Sequence, residues 1–403
     1  MRDPIVVTGM GLVTPVGIGR REVWEALLDG RSGIGPVEAF PTDGYAGSHG
    51  AEVKEFRPER WVRNLDPTEV GRASQFAIAA ARLALEDAGL ASDELDVDRT
   101  GVAMGTTSGE PREVERFNDR RLAGRLDEIG SEFLDRYPCH LLPEMVAGEL
   151  GLAGLNIMIP TACAAGNYAI AYAYDALRLG RADRMLAGGA DCFSRITYAG
   201  FARLGAIAPD RCQPFDRNRR GMIPGEGAAL LLLEPLSAAR GRGARVYAEI
   251  AGYGLSCDAH HMTAPDGDGA ARAMASALEL SGVAAEEVDY VSAHGTGTPT
   301  NDRLEAGALE RVFGERAEHL PTSSIKSMLG HTMGAASAIE AAVCSLAVHE
   351  DAVPPTIHFE EPDPECRIDC VPNQARRHRV GVAMNNAYAF GGNNASLILR
   401  KCA

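Results

Sequence analysis

Short, uniformly apolar runs recur along the chain, each followed by a stretch with helical spacing. The runs at 5–7, 100–105, 155–159, 184–190 and 228–233 predict strands. A strand covered on both faces has no polar positions, so these predict inner, mostly parallel sheets under helices. Helical periodicity predicts helices at 22–29, 74–88, 144–150 and 166–179, and Gly89 ends the second. From about residue 246 the pattern starts again. Strands at 247–253 and 288–293 flank a helix at 270–280, and the second strand delivers His294. A strand at 322–325 delivers Lys326. A helix at 335–348 follows, whose one charge through Leu346 is Glu340. A strand at 380–384, a loop at 386–393 and a strand at 395–399 close the pattern. This second near-neutral helix mirrors the one at 166–179. The implied architecture is α/β, in two duplicated halves, 1–245 and 246–403, each with one buried helix, related by a pseudo-two-fold axis.

Two turns at the starts of those helices carry the candidate chemistry. Pro160-Thr161-Ala162-Cys163-Ala164-Ala165-Gly166 leads from the 155–159 strand into the first. The unpaired N–H groups and dipole of a helix N-terminus favour a thiolate at Cys163. A packed core thiol is the other reading. In the second half, His294 precedes Gly295-Thr296-Gly297-Thr298. The glycines let backbone approach a ligand, and the hydroxyls can bond amides of an extended arm. His331 opens the second near-neutral helix, where the dipole lowers an imidazole pKa. A thiolate beside two imidazoles suits acyl transfer through a covalent thioester.

Composition narrows the class. Apolar residues make up 45% and charged residues 24%, as in soluble globular chains. No run of about 18 apolar residues predicts a membrane span, and Met1-Arg2-Asp3-Pro4-Ile5 lacks a signal-type start. Nine scattered cysteines predict free thiols in a reducing, cytoplasmic setting. A net charge of −15 argues against nucleic acid. Meeting another acidic protein would then need a local basic patch, such as Arg203, Arg211, Arg217, Arg219 and Arg220, or Arg57, Arg60, Arg63 and Arg72. Either also reads as an ordinary solvated face. The charge-dense stretch at about 108–140 reads as a solvated cap. Gly9-x-Gly11 after the first strand reads as a glycine turn. Thr14 stands where a dinucleotide fingerprint needs its third glycine, so nucleotide binding is not expected. Cys257, Asp258, His260 and His261 crowd together, but adjacent histidines rarely serve one ion, and no metal is expected.

Taken together, Thr161-Ala162-Cys163, His294-Gly295-Thr296-Gly297-Thr298, Lys326-Ser327-Met328-Leu329-Gly330-His331 and Phe390-Gly391-Gly392 resemble the signature set of β-ketoacyl-acyl-carrier-protein synthases. The resemblance is to the elongating Cys-His-His type, synthase II-like or type II polyketide ketosynthase, in the thiolase superfamily. It runs from Val7-Thr8-Gly9-Met10-Gly11 to the last strand. It implies a thiolase-like αβαβα sandwich and a dimer. It also implies that Cys163 takes the acyl chain, that His294 and His331 assist decarboxylation and hold the enolate, and that Lys326 orients the pair with support from Glu305. The N–H groups of Cys163 and Phe390 would form an oxyanion hole. Thr296 and Thr298 would bind the pantetheine arm, and Phe390 with Gly391 would gate the site. The partner would be an acyl carrier protein bearing its own 4'-phosphopantetheine arm, with no metal or other cofactor.

Departures from the family pattern bear on substrate. Ala389 replaces a usual glycine and should stiffen the gate. Asn393 replaces a usual threonine. The turn at Thr107-Ser108 is small and polar where relatives in primary metabolism tend to be bulky, which implies a longer or more polar acyl tunnel and a specialised pathway. Some relatives lack the nucleophile and act as chain-length factors. With Cys163 and both histidines present, this chain reads as the catalytic member, alone or with such a partner. A coenzyme A thiolase would need a second cysteine at 386–394, which has none. A cysteine hydrolase would need water at a buried acyl-enzyme.

Overall fold

The computed structural model describes residues 3–128 and 130–402. Met1 and Arg2 of the start considered above, Ile129 in the charged stretch and Ala403 lie outside them. Ten main strands are β1 (Ile5–Thr14), β2 (Thr100–Gly105), β3 (Asn156–Ile159), β4 (Arg184–Asp191), β5 (Gly227–Pro235), β6 (Ala248–Cys257), β7 (Tyr290–Ser292), β8 (Thr322–Ser323), β9 (Val382–Tyr388) and β10 (Asn393–Arg400). With a short strand at Gly17–Ile18 beside β1, they form an eleven-stranded sheet among the described residues, in the order β8-β7-β9-β10-β6-β1-β5-β4-β2-β3. The duplication is written into that order. In the first half β2 runs parallel to β3 and β4, β4 antiparallel to β5, and β5 antiparallel to β1. In the second, β7 runs parallel to β8 and β9, β9 antiparallel to β10, and β10 antiparallel to β6. The halves join where β1 pairs with β6, Ile5 opposite Ile250 and Val7 opposite Ala248.

Six helices bear on function: α1 (Arg72–Ala88), α2 (Pro111–Leu122), α3 (Ala165–Arg178), α4 (Arg195–Arg203), α5 (Pro299–Phe313) and α6 (Ala336–Glu350). Every residue of α6 from Ala336 to Val348 is buried, and α3 is buried on most sides, as near-neutral sequences require. Each follows a single 3₁₀ turn, Ala162–Ala164 before α3 and Met333–Ala335 before α6. Ala162 and Met333 both adopt left-handed backbone, at φ 52° and 55°. Such a conformation costs a β-carbon-bearing residue on the order of 1–2 kcal/mol, so the surroundings must impose it.

The two buried helices touch at their starts. A Cβ on Gly166 would stand 2.6 Å from the Ala338 nitrogen. Beside it, the Asn167 N–H donates to Ser337 Oγ at 3.1 Å, and Asn385 Nδ2 donates to Asn167 Oδ1 and the Ser337 carbonyl. Asp191, at the end of β4, accepts from Thr106 Oγ1 and from the N–H groups of Thr107, Ser108 and Gly334. One buried carboxylate thus ties two turns of the first half to the α6 turn of the second.

Four expectations change. The sheet is mixed and not mostly parallel: β1–β5, β1–β6, β4–β5, β6–β10 and β9–β10 are antiparallel pairs, and among the described residues the parallel strand pairs are confined to the neighbours of β2 and β7. The Gly9 and Gly11 stretch is not a turn, since β1 runs through it to Thr14. These glycines let α1 lie close, because a Cβ on Gly9 would be 2.2 Å from the Ala84 carbonyl oxygen. Glu110 is not part of a solvated cap. It is buried and accepts from the N–H groups of Ala73 and Ser74, capping α1 across the chain, and burial pushes its carboxyl up to about 7. The basic clusters are partly consumed internally. Arg72 grips buried Glu226, Arg219 pairs with Asp363 inside the protein, and Arg211 and Arg220 pair with Glu360 and Asp210.

Replacing Gly166 by Val tests the helix contact. Overpacking of this kind costs about 1–3 kcal/mol. A lower denaturant midpoint with an unchanged slope is expected; an unchanged midpoint would mean that the contact carries no constraint.

Candidate active site

The strand ends and the buried-helix starts converge on one cavity of about 260 Å³. Cys163, His294, His331 and Tyr388 line its buried end, and Thr296 and Thr298 line it further out. Leu204, Met262 and Phe390, all exposed, rim its mouth. Ligand atoms of Cys163, His294 and His331 all lie within 4.8 Å of one another. The two imidazoles meet edge to face, with ring centroids 5.5 Å apart.

The loop after His294 is held by two buried acidic side chains of α5, and burial pushes the Glu305 carboxyl up to about 8. Glu305 accepts the N–H groups of His294 and Gly295 at 2.8 and 2.7 Å. Asp302 accepts those of Gly297 and Phe215. Thr298 caps the N-terminus of α5, and its hydroxyl lies 2.9 Å from that of Thr296. Gly295 and Gly297 take positive φ, and a Cβ on Gly297 would strike the Gly221 carbonyl at 2.8 Å. Glu305 thus supports the histidine pair through the backbone of His294, and the Lys326 ammonium is near enough to pull its carboxyl down. The ion pair of Lys326 itself is with Glu340, the lone acid of α6.

His331 is fixed at three atoms. Its N–H donates to the Ile223 carbonyl, its carbonyl accepts from Gly225, and its Nδ1 accepts the Met333 N–H at 3.1 Å. An Nδ1 that accepts leaves the ring proton on Nε2, so the imidazole presents a donor. Burial holds His294 and His331 well below the usual imidazole value, and the Lys326 ammonium pushes both further down. The direction for His331 is as expected. The leading cause is desolvation, with the ammonium in the place given to the helix dipole.

Cys163 departs from expectation. Burial pushes its thiol up to about 12, against the pull of Lys326. The site at rest therefore holds a neutral thiol and two neutral imidazoles. Three such groups also resemble a metal site by distance alone. The His331 tautomer argues against one, because ligation through Nε2 would set an Nδ1–H against the Met333 N–H. The nearby ammonium repels a cation as well. Cys257, Asp258, His260 and His261 do not form a metal cluster among the described residues. Asp258 instead accepts from Asn394 Nδ2 and the Asp266 N–H.

The remaining sequence candidates divide. Phe390 sits at the mouth, its ring 5.6 Å from that of Phe201 on α4. Gly391 does not line the cavity; its N–H donates to the Met262 carbonyl and so ties the two rim loops. Ser108 does not line it either, its N–H being spent on Asp191. Sequence reasoning missed Asp191, the pairing role of Glu340, and Tyr388, whose ring lies 5.7 Å from His294. A charged residue inside a wholly apolar helix was the available signal for Glu340; none pointed to Tyr388.

Comparison with known proteins places the chain in a family. The models described as Beta-ketoacyl synthase, N-terminal domain and C-terminal domain match residues 2–239 and 247–360. The chain is 39% identical over 406 residues to 3-oxoacyl-[acyl-carrier-protein] synthase 2 of Synechocystis sp., covering 98% of both. It is 40% identical over 408 residues to Nodulation protein E of Rhizobium sp., covering 98% of this chain and 99% of that one. Among solved structures, a chain of the ishigamide ketosynthase/chain length factor superposes with TM-score 0.97 at 43% identity, covering 100% of both chains. A type II PKS acyl-carrier protein in complex with its ketosynthase bound to the hexaketide gives TM-score 0.92 at 33% identity, again over 100% of both. With both family models matched and relatives near 40% identity spanning almost the whole chain, the chain belongs to the β-ketoacyl synthases and is an acyltransferase of the condensing type.

Proposed function

We propose that the chain extends an acyl group held on Cys163 by decarboxylative condensation with malonyl-acyl carrier protein, giving a 3-oxoacyl-acyl carrier protein, in the cytoplasm. The observation that carries the reading is the Cys163–His294–His331 cluster set above Lys326. Cys163 sulfur attacks the incoming thioester carbonyl, and the arm leaves as its thiol with the Cys163 proton. The malonyl thioester then enters the same cavity. Loss of its carboxylate as CO₂ leaves an enolate, which supplies the carbanion without any metal or resident cofactor. The enolate oxygen accepts from His331 Nε2–H and from His294. Neutral donors hold it without quenching the carbon by an early proton transfer. The carbon attacks the acyl–Cys163 carbonyl, the C–S bond breaks with its electron pair on sulfur, and the Cys163 thiolate takes one proton from solvent water to restore the thiol. The N–H groups of Cys163 and Phe390 hold the transient oxyanion; that of Phe390 donates to no protein acceptor among the described residues. Thr296 and Thr298 bind the arm, and Phe390 with Gly391 gates the mouth. Lys326 orients and neutralises the histidine pair, with Glu340 as its counter-ion.

We place the chain in a specialised polyketide or polyene pathway, as the catalytic member of a heterodimer with a chain-length-factor-like subunit. The similarity to the ishigamide ketosynthase/chain length factor supports this. β3, an edge strand with unpaired backbone and half-buried Ile157, Met158 and Ile159, supports a covering chain there, whether that subunit or a second copy of this one. Coexpression with such a subunit should give a 1:1 complex by gel filtration and mass spectrometry. That complex should elongate polar or unsaturated acyl groups. Full activity of the chain alone on short saturated primers only would overturn the pathway reading.

Two further outcomes are expected. Cys163→Ala takes up no acyl mass from an acyl carrier yet still decarboxylates malonyl carrier protein. His331→Ala acylates but loses decarboxylation by about a hundredfold or more, the scale of one lost charge-stabilising donor; normal condensation by His331→Ala would sink the assignment. The double variant Lys326→Met/Glu340→Gln removes the ion pair without stranding a charge. Both imidazoles sit below 6.5 partly because of the ammonium. Without it their pKa values rise, and the neutral donors are lost at higher pH. The acidic limb of the decarboxylation profile therefore moves upward, and an unmoved limb would show that burial alone sets it.

A further inference from the structure

The mouth of the cavity carries a third histidine that the mechanism leaves unused. His261 lines the cavity at its exposed end, on the loop that follows β6. Its Nδ1 accepts two backbone N–H groups, those of Thr263 and Ala264, each at 3.1 Å. The ring proton is therefore on Nε2, by the same backbone device that fixes His331 through Met333. The loop is anchored to the opposite rim. Asp258 accepts from Asn394 Nδ2, the Asp258 N–H donates to the Gly392 carbonyl, and the Gly391 N–H donates to the Met262 carbonyl. One histidine donor thus stands at the floor, another at the entrance, and the Thr296 and Thr298 hydroxyls lie between them.

We propose that His261 is a binding residue for the substrate's arm, its Nε2–H donating to an acceptor oxygen of the arm, an amide carbonyl or the phosphodiester, where the arm leaves the cavity. The proposal rests on the reading that arm-borne thioesters acylate Cys163. The donor is fixed before binding, so no imidazole rotation has to be arrested when the arm enters. The rim around it mixes apolar Phe201, Leu204, Met262 and Phe390 with Thr263, Thr300 and Asn301, and among these the His261 donor is the one whose ring orientation backbone N–H groups fix. His261 acts on binding and leaves the chemical step alone.

The test uses two variants that separate donor from loop holding. His261→Asn keeps an oxygen near the Nδ1 position for the backbone N–H groups but loses the distal donor. His261→Gln keeps a distal N–H. Acylation of Cys163 is followed by intact mass, with an octanoyl group carried on N-acetylcysteamine, on pantetheine and on 4'-phosphopantetheine. For His261→Asn, KM for the phosphopantetheine thioester should rise about fivefold with kcat unchanged, the scale of one hydrogen bond. His261→Gln should recover most of the loss. The N-acetylcysteamine thioester, which ends short of the mouth, should be unaffected. A loss shared with pantetheine assigns the bond to an amide, and a loss confined to the phosphorylated arm assigns it to phosphate. A wild-type KM for His261→Asn, or an equal loss on N-acetylcysteamine, overturns the proposal. If no thioester acylates the unmodified chain, the functional reading fails instead, independently of His261.

Discussion

A single buried ammonium organises the centre of this protein. Lys326 lies almost wholly out of solvent, paired with Glu340 from the neighbouring helix. A charge held away from water is tolerated only with a partner, and its field is screened far less than at a surface. That field reaches both imidazoles and the thiol. It disfavours imidazolium and favours thiolate, so one charge serves two purposes in one cavity. Burial adds to it for the histidines and opposes it for Cys163. The site therefore stays neutral until substrate arrives, which suits a reaction whose carbanion must not be protonated early.

The duplicated sheet explains why such a cavity exists. In each half a 3₁₀ turn with one left-handed residue leads a near-neutral helix into the centre. The first turn bears Cys163. The equivalent place in the second is Gly334, where a side chain would collide with the backbone of Thr106. The symmetry is thus broken by space: one turn presents a sulfur, and the other closes over Asp191 and brings His331 alongside. The tight contact at Gly166 sets how near the two turns come.

Much of this was legible in residues. The repetition of apolar runs and near-neutral helices pointed to two halves, and packing those halves together brought Cys163, His294 and His331 to one cavity. Local patterns misled where a distant partner decides the outcome. Gly9 and Gly11 read as a turn because their packing helix lies some seventy residues on. Glu110 read as solvated because its neighbours in sequence are charged, while its partners are the N–H groups at the start of α1. Glu305 supports the histidine pair by holding the His294 and Gly295 N–H groups, while the ion pair of Lys326 falls to Glu340. A helix N-terminus suggested a thiolate at Cys163, and the weight of desolvation cannot be read from a turn.

The sequence alone determined the class of chemistry, because a reactive residue's identity and its place at a strand end or helix start are local facts. Only the tertiary structure decided the charge states, the ion-pair partners and the tautomers. These depend on which groups share a low-dielectric space and which backbone N–H groups face a ring nitrogen. Some of these contacts join the two halves, as Cys163 meets His294 and His331; others, such as Lys326 with Glu340 or His331 with Met333, are near in sequence but turn on side-chain orientation, which leaves no periodic trace in the chain.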